Sequence, residues 1–187
     1  MIDNKSPLYS ELKKLMNLAS LNNSISKKTI QDFFQRINEN KLIKKDNVNS
    51  HFCVFFLPAD IKNKKIYLCH HKKANDWIPP GGHIDENELP TQTVIRECKE
   101  ELSINIKSGQ IEFLNLSVKQ IKNSDQICKT HFDIWYLTHL KTQPINFLQK
   151  EFLDAKWVTI SEAKKLIKKN PDFLKIILAL QNTHFLV

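Results

Sequence analysis

Gly82 to Ile104 reads GHIDENELPTQTVIRECKEELSI, and the fold is decided in this stretch. The chain holds three glycines, and two of them, Gly81 and Gly82, stand together after Pro79-Pro80 and just before an acidic run. A glycine pair there predicts unusual backbone geometry or the close approach of another group to the main chain. Pro90 suits the first position of a helix, where its missing N–H has no partner to lose. The helix is expected to run to about Leu102. At about 100° per residue with Val94 at zero, Cys98, Leu102 and Ile95 fall near ~40°, ~80° and ~100° and form the apolar stripe. By the same count Glu100, Glu97 and Glu101 fall near ~240°, ~300° and ~340°, so three carboxylates share one arc beside it.

Like charges three and four residues apart disfavour an isolated helix by roughly 0.2 to 0.5 kcal/mol per pair. Two explanations fit the crowding. One is an ordinary acidic face in water. The other is a bound cation: magnesium accepts a few carboxylates and keeps several waters, which leaves room for a polyphosphate.

Upstream, HFCVFFLPAD has the aromatic and β-branched content of a buried strand ending at Pro58, and KKIYLCHH follows as its hairpin partner. His70, His71, Lys72 and Lys73 then form a cationic cluster, either solvated or facing substrate phosphates. Farther upstream, Leu8, Leu12, Leu15 and Ala19 lie on one helical stripe and Ile30, Phe33, Phe34 and Ile37 on another. Asn22-Asn23-Ser24 separates the two helices, and Ser26 is placed to cap the second. This segment either covers core or serves as a lid or homodimer surface. Downstream, IEFLNLSVKQI and KTHFDIWYLTHL predict two strands. In the second, His131, Asp133 and Trp135 share a face, as a substrate-contact set with Trp135 stacking on a base, or as a structural pair beside a core aromatic. Helices follow from Ser161 and after Asn170-Pro171.

The bulk properties bound the possibilities. A chain of 187 residues with 41% hydrophobic and 26% charged content is one globular domain with an added helical piece. No apolar run reaches the ~18 to 20 residues that span a bilayer, and no secretory signal is evident, so a cytoplasmic setting is the default. Cys53, Cys69, Cys98 and Cys128 are widely separated and read as buried free thiols. The formal charge is +8, carried by lysines with only two arginines, Arg36 and Arg96. That distribution argues against an arginine-rich groove made to read nucleic acid, and a phosphate-bearing small molecule and an RNA end are both compatible with it.

The full spacing then identifies a resemblance. Gly82, five residues, Glu88, seven residues, Arg96-Glu97, an apolar position, one residue, Glu100-Glu101, one residue and an apolar Ile104 is similar to the Nudix box. Ser103 stands where the family carries a glycine, which bears on how the helix ends but removes no carboxylate. With HHKKANDWIPPGGHIDENELP and the helical N-terminus, the chain resembles a bacterial subgroup of Nudix hydrolases whose substrates are poorly defined.

That resemblance implies an α/β Nudix fold, a mixed β-sheet sandwiched between α-helices. Residues 1–47 would be a helical extension and residues 48–187 the Nudix hydrolase domain, with the box at 82–104. It implies a hydrolase cleaving the pyrophosphate bond of a nucleoside diphosphate linked to another group, dependent on Mg2+ with Mn2+ as the alternative ion. Glu97, Glu100, Glu101 and the Gly82 carbonyl would be the metal ligands. Arg96 would brace the carboxylates together with Glu88, and Glu151 would be an auxiliary ligand or the general base. His131, Asp133 and Trp135, with His71 and Lys72, are the expected substrate contacts. The implied partner is a small nucleotide-type diphosphate, with no membrane and no nucleic acid. The alternatives are a Nudix module that binds a nucleotide without cleaving it and a hydrolase acting on capped or 5′-phosphorylated RNA.

Overall fold

The computed structural model of the chain describes residues 6–121 and 127–180. Two amphipathic helices come first, α1 (Pro7–Ser20) and α2 (Lys27–Asn38). Each begins at a serine whose side chain accepts a main-chain N–H three residues on, Ser6 from Tyr9 and Ser26 from Thr29. Seven strands follow: β1 (Ser50–Asp60), β2 (Lys65–His71), β3 (Asp76–Ile78), β4 (Gly81–His83), β5 (Ile111–Gln120), β6 (Thr130–His139) and β7 (Phe152–Thr159). Helix α3 (Pro90–Leu102) comes between β4 and β5, and α4 (Ile160–Leu166) and α5 (Pro171–Ala179) follow β7. The strands form one sheet in the order β3-β2-β1-β6-β5, with β4 paired to β1 and β7 to β2. Among the described residues this is a seven-stranded sheet with five α-helices, the expected α/β class with the expected N-terminal helices.

The chain gathers into two compact units, each drawn from three stretches. The first comprises Met1–Val54, Gly82–Thr93 and Leu114–Trp135. Its apolar centre is aromatic: Phe33 of α2 packs edge-on to Phe52 and Phe132 at centroid distances of 5.5 and 5.4 Å. Leu8, Leu12, Leu15 and Ala19 of the first stripe and Ile37 of the second are also buried, while Ile30 and Phe34 are half-buried. Arg36 lies over the Phe132 ring at 5.4 Å and donates to Ser50 Oγ at 2.7 Å.

The second unit comprises Phe55–Gly81, Val94–Phe113 and Tyr136–Val187. Here β2 pairs antiparallel with β3 and with β7, and a bulge falls between His70 and His71 where Phe152 enters the register. Asp60 closes the β1–β2 turn by accepting from Asn63 N, Asn63 Nδ2 and Thr142 N at 3.0, 2.7 and 2.6 Å. Asp76 gathers the segment between α4 and α5, accepting from Lys168 N, Lys169 N and Asn170 Nδ2.

Two local expectations change. Strand β1 runs two residues past Pro58, because Asp60 rather than the proline holds the turn. Gly81 and Gly82 lie in β4, and neither has a positive φ, so neither serves a left-handed bend. Ser103, at the end of α3, is left-handed, φ 56°. There Ser103 N–H donates to Lys99 O at 3.1 Å and Ile104 N–H to Cys98 O at 3.2 Å. The first bond is the five-to-one closure of an αL cap, with serine in the place that favours glycine.

Candidate active site

Helix α3 carries the chemistry of the second unit. Val94, Cys98 and Leu102 are fully buried and fix its rotation, while Ile95 is only half-buried. That rotation leaves the three glutamates in unequal surroundings. Glu101 is 3% exposed and Glu97 9%, whereas the Glu100 side chain is 55% exposed. Arg96 links the latter two, with Nη1 2.8 Å from Glu97 Oε1 and 3.4 Å from Glu100 Oε2. Glu101 Oε2 instead accepts the main-chain N–H of Gly81 at 2.9 Å. Burial raises the Glu101 carboxyl well above the usual carboxylate range, and Glu97 and Glu151 push it further, against the Gly81 hydrogen bond. Burial also raises Glu97, opposed by Arg96 and aided by Glu100 and Glu151.

Glu151 reaches this group through a tethered loop. The Glu101 carbonyl accepts from Leu148 N at 2.8 Å, and the Leu148 carbonyl accepts from Glu151 N at 3.0 Å. The same loop engages two further expected site residues. Lys72 N donates to Glu151 O at 2.9 Å and Lys72 Nζ to Gln149 O at 2.5 Å. His71 packs against Phe152, and its Nδ1 accepts the N–H groups of Lys73 and Ala74 at 3.1 and 3.3 Å. Burial lowers the His71 pKa, which keeps the ring a neutral acceptor. The second unit therefore brings together Arg96, Glu97, Glu100, Glu101, Glu151, His71 and Lys72. An open groove of about 520 Å³ also lies in this unit, lined by Tyr67, Trp157 and residues 142–145, and none of these carboxylates borders it.

The remaining expected residues belong to the first unit. Gly82 follows Gly81 in β4 and is half-buried. Glu88 Oε2 accepts from Thr93 Oγ1 at 2.7 Å and from Asp85 N at 3.1 Å, closing the turn that leads into α3. On β6, Asp133 and Trp135 are fully buried. Both turn to one hydroxyl: Ser117 Oγ donates to Asp133 Oδ2 at 3.2 Å and accepts from Trp135 Nε1 at 2.9 Å. Neither side chain exposes surface to solvent. His131 lies instead among His51, His83 and Cys128, three residues that sequence reasoning did not select. The CKTH spacing of Cys128 and His131 is the one local signal of the group in the sequence.

Residues 50–180 match the NUDIX domain. The chain belongs to the NUDIX family. Among similar proteins, the probable DHNTP pyrophosphohydrolase of Lactococcus lactis is 25% identical over 112 residues, 58% of this chain and 64% of that protein. The asymmetrical bis(5′-nucleosyl)-tetraphosphatase of Sus scrofa is 30% identical over 91 residues, 48% of this chain and 60% of the relative. The chain thus spans a little under two thirds of the length of both curated relatives. The fold is shared with the dihydroneopterin triphosphate pyrophosphohydrolase of E. coli, at TM-score 0.59 and 20% identity over 71% of this chain and 96% of that one. A NUDIX-family hydrolase from Clostridium perfringens shares it at TM-score 0.54 and 23% identity, over 71% and 99% of the two chains.

Proposed function

We propose that this chain is a Mg2+-dependent hydrolase that cleaves a phosphoanhydride bond in a nucleoside diphosphate linked to another group. One observation carries the proposal. Glu97 and Glu101 are buried on one helix, and burial together with the nearby carboxylates of Glu100 and Glu151 raises the pKa of both. Buried like charges are costly unless something positive joins them. Oxygen donors on a rigid helix suit a hard divalent ion rather than a soft one. Glu97, Glu100 and Glu101 would hold it. Once bound, such an ion neutralises phosphate oxygens and lowers the pKa of a water molecule.

The chain's own residues have separate tasks. Arg96 holds Glu97 and Glu100 in a fixed relation, which a planar guanidinium does better than an ammonium. The Gly81 N–H orients Glu101. Glu151 is positioned as the auxiliary ligand or general base by the hydrogen bonds of residues 148–151 to α3 and Lys72. The names of the two curated relatives, a pyrophosphohydrolase and a tetraphosphatase, support a polyphosphate substrate. A small nucleotide derivative is preferred to an RNA end, because the chain lacks the interleaved aromatic and basic residues of single-strand binders.

The test is a screen of sugar nucleotides, dinucleoside polyphosphates and ADP-ribose-like compounds, scored for released phosphate products. Turnover with Mg2+ that disappears in chelator is expected. Turnover that persists in chelator, or none on any diphosphate, would overturn the proposal.

A further inference from the structure

Four side chains that the proposed hydrolysis does not use converge in the first unit. His51 opens β1, His83 closes β4, Cys128 lies just before β6 and His131 is the second residue of β6. One ligand atom from each lies within 4.8 Å of those of the other three. Cys128 Sγ is 3.6 Å from His51 Nε2 and 3.8 Å from His83 Nε2. In a tetrahedral zinc site, bonds of about 2.3 Å to sulfur and about 2.05 Å to nitrogen put those atoms about 3.6 Å apart. The imidazole rings are 4.8, 5.2 and 5.4 Å apart at their centroids and are mutually inclined rather than stacked.

Three further observations point to a ligand. His51 Nδ1 is 2.8 Å from the Asn47 carbonyl, which can only accept, so Nδ1 carries the proton. The lone pair on Nε2 then points toward Cys128, the arrangement in which a backbone carbonyl orients a metal-ligating histidine. His131 Nε2 is buried without a hydrogen-bond partner. Such an orphan needs a reason, and coordination supplies one. Finally, Asp133 and Cys53 place ligand atoms within 4.8 Å of His131, and Asp133 Oδ1 is also buried without a partner. A divalent ion with one thiolate and three neutral imidazoles has a net charge of about +1, and a buried carboxylate beside a ligating histidine both offsets that charge and orients the ring.

We propose that His51, His83, Cys128 and His131 form a structural zinc site. The nitrogen and sulfur donors exclude magnesium and calcium, which require oxygen. Four protein ligands leave no open position, which is the mark of a structural rather than a catalytic ion. The site uses none of the carboxylates assigned to hydrolysis. It would pin the starts of β1 and β6 and the end of β4 to one another within the first unit. A hydrogen-bonded cluster of neutral imidazoles and a thiol is the other outcome that the test must separate.

The experiment uses the full chain and does not depend on activity. Metal analysis of protein purified without added metal is expected to find one zinc per chain, retained in Glu100→Gln. Protein stripped of metal and reloaded with Co2+ is expected to gain a thiolate-to-cobalt charge-transfer band in the near ultraviolet and intense d–d bands of tetrahedral cobalt. Cys128→Ser is expected to lose the charge-transfer band. Because the wild-type spectrum decides alone, a variant that fails to fold does not spoil the test. Sub-stoichiometric zinc, together with only the weak bands of six-coordinate cobalt on oxygen donors, would overturn the proposal. Such a result would leave the hydrolase reading untouched.

Discussion

Gly81 N–H donates to Glu101 Oε2 across 2.9 Å, so the strand before the acidic run and the helix after it share a hydrogen bond at the most deeply buried of the three α3 glutamates. Glutamine keeps an oxygen for that bond and removes the buried charge. Glu101→Gln is therefore expected to stabilise the metal-free protein by about 1 kcal/mol or more. The same change is expected to abolish the rise in Tm that Mg2+ gives the wild type. Thermal unfolding of both proteins with and without Mg2+ checks it. A variant less stable than the metal-free wild type would contradict the burial penalty assigned to Glu101.

Arg96 donates to both Glu97 and Glu100 from one nitrogen. Lysine preserves the charge but not the planar donor. Arg96→Lys is expected to lower turnover or metal affinity on the order of 10-fold, the usual scale for residues that orient ligands. Kinetics over a Mg2+ titration would reveal it, with circular dichroism unchanged.

Ser103 occupies a left-handed conformation at the end of α3. Such a conformation costs a non-glycine residue roughly 1 to 2 kcal/mol. Ser103→Gly is expected to raise stability by about 1 kcal/mol without altering metal dependence, as denaturant unfolding would measure.

Phe33 is the central ring of the first unit and is 1% exposed. Phe33→Ala is expected to cost about 3 to 5 kcal/mol, because the cavity is walled by Phe52 and Phe132 and closes poorly. Urea denaturation would show a lowered midpoint. A loss below 1 kcal/mol would mean that the N-terminal helices rest only loosely on this unit.

Asp60 carries the pH dependence that is simplest to assign. Hydrogen bonds from Asn63 and Thr142 hold its pKa well below the ordinary carboxylate value. The folded state therefore binds its proton less readily than the unfolded chain. The stabilisation is complete above the unfolded value of about 3.9 and is lost as pH falls below it. Asp60→Asn is expected to cost about 1 kcal/mol at neutral pH and to flatten the acid limb of a stability-against-pH curve.

Much of the architecture was legible because it rests on local rules. The stripes of α1 and α2, the cap at Ser26, the start of α3 at Pro90 and the strand alternation around Phe132 all depend on neighbours a few residues apart. The carboxylate arc was legible for the same reason. The short strands β3 and β4 were not, since three residues are too few to display a period and glycine carries no strand signal. Nor was the meeting of His51, His83, Cys128 and His131, whose members come from three separate stretches and meet only when the sheet forms. The burial of Asp133 and Trp135 was equally hidden, because strand alternation predicts which residues share a face and not what covers it.

The central claim is that the α3 carboxylates form a metal-dependent hydrolytic centre, and Glu100 tests it most directly. Its side chain is exposed, so Glu100→Gln removes a proposed ligand without opening the core. Turnover of the best diphosphate substrate is to be measured against Mg2+ concentration for the wild type and Glu100→Gln, with folding checked in parallel. A loss of orders of magnitude in the folded variant is predicted. Equal turnover in the two proteins, or full wild-type turnover in chelator, would contradict the claim.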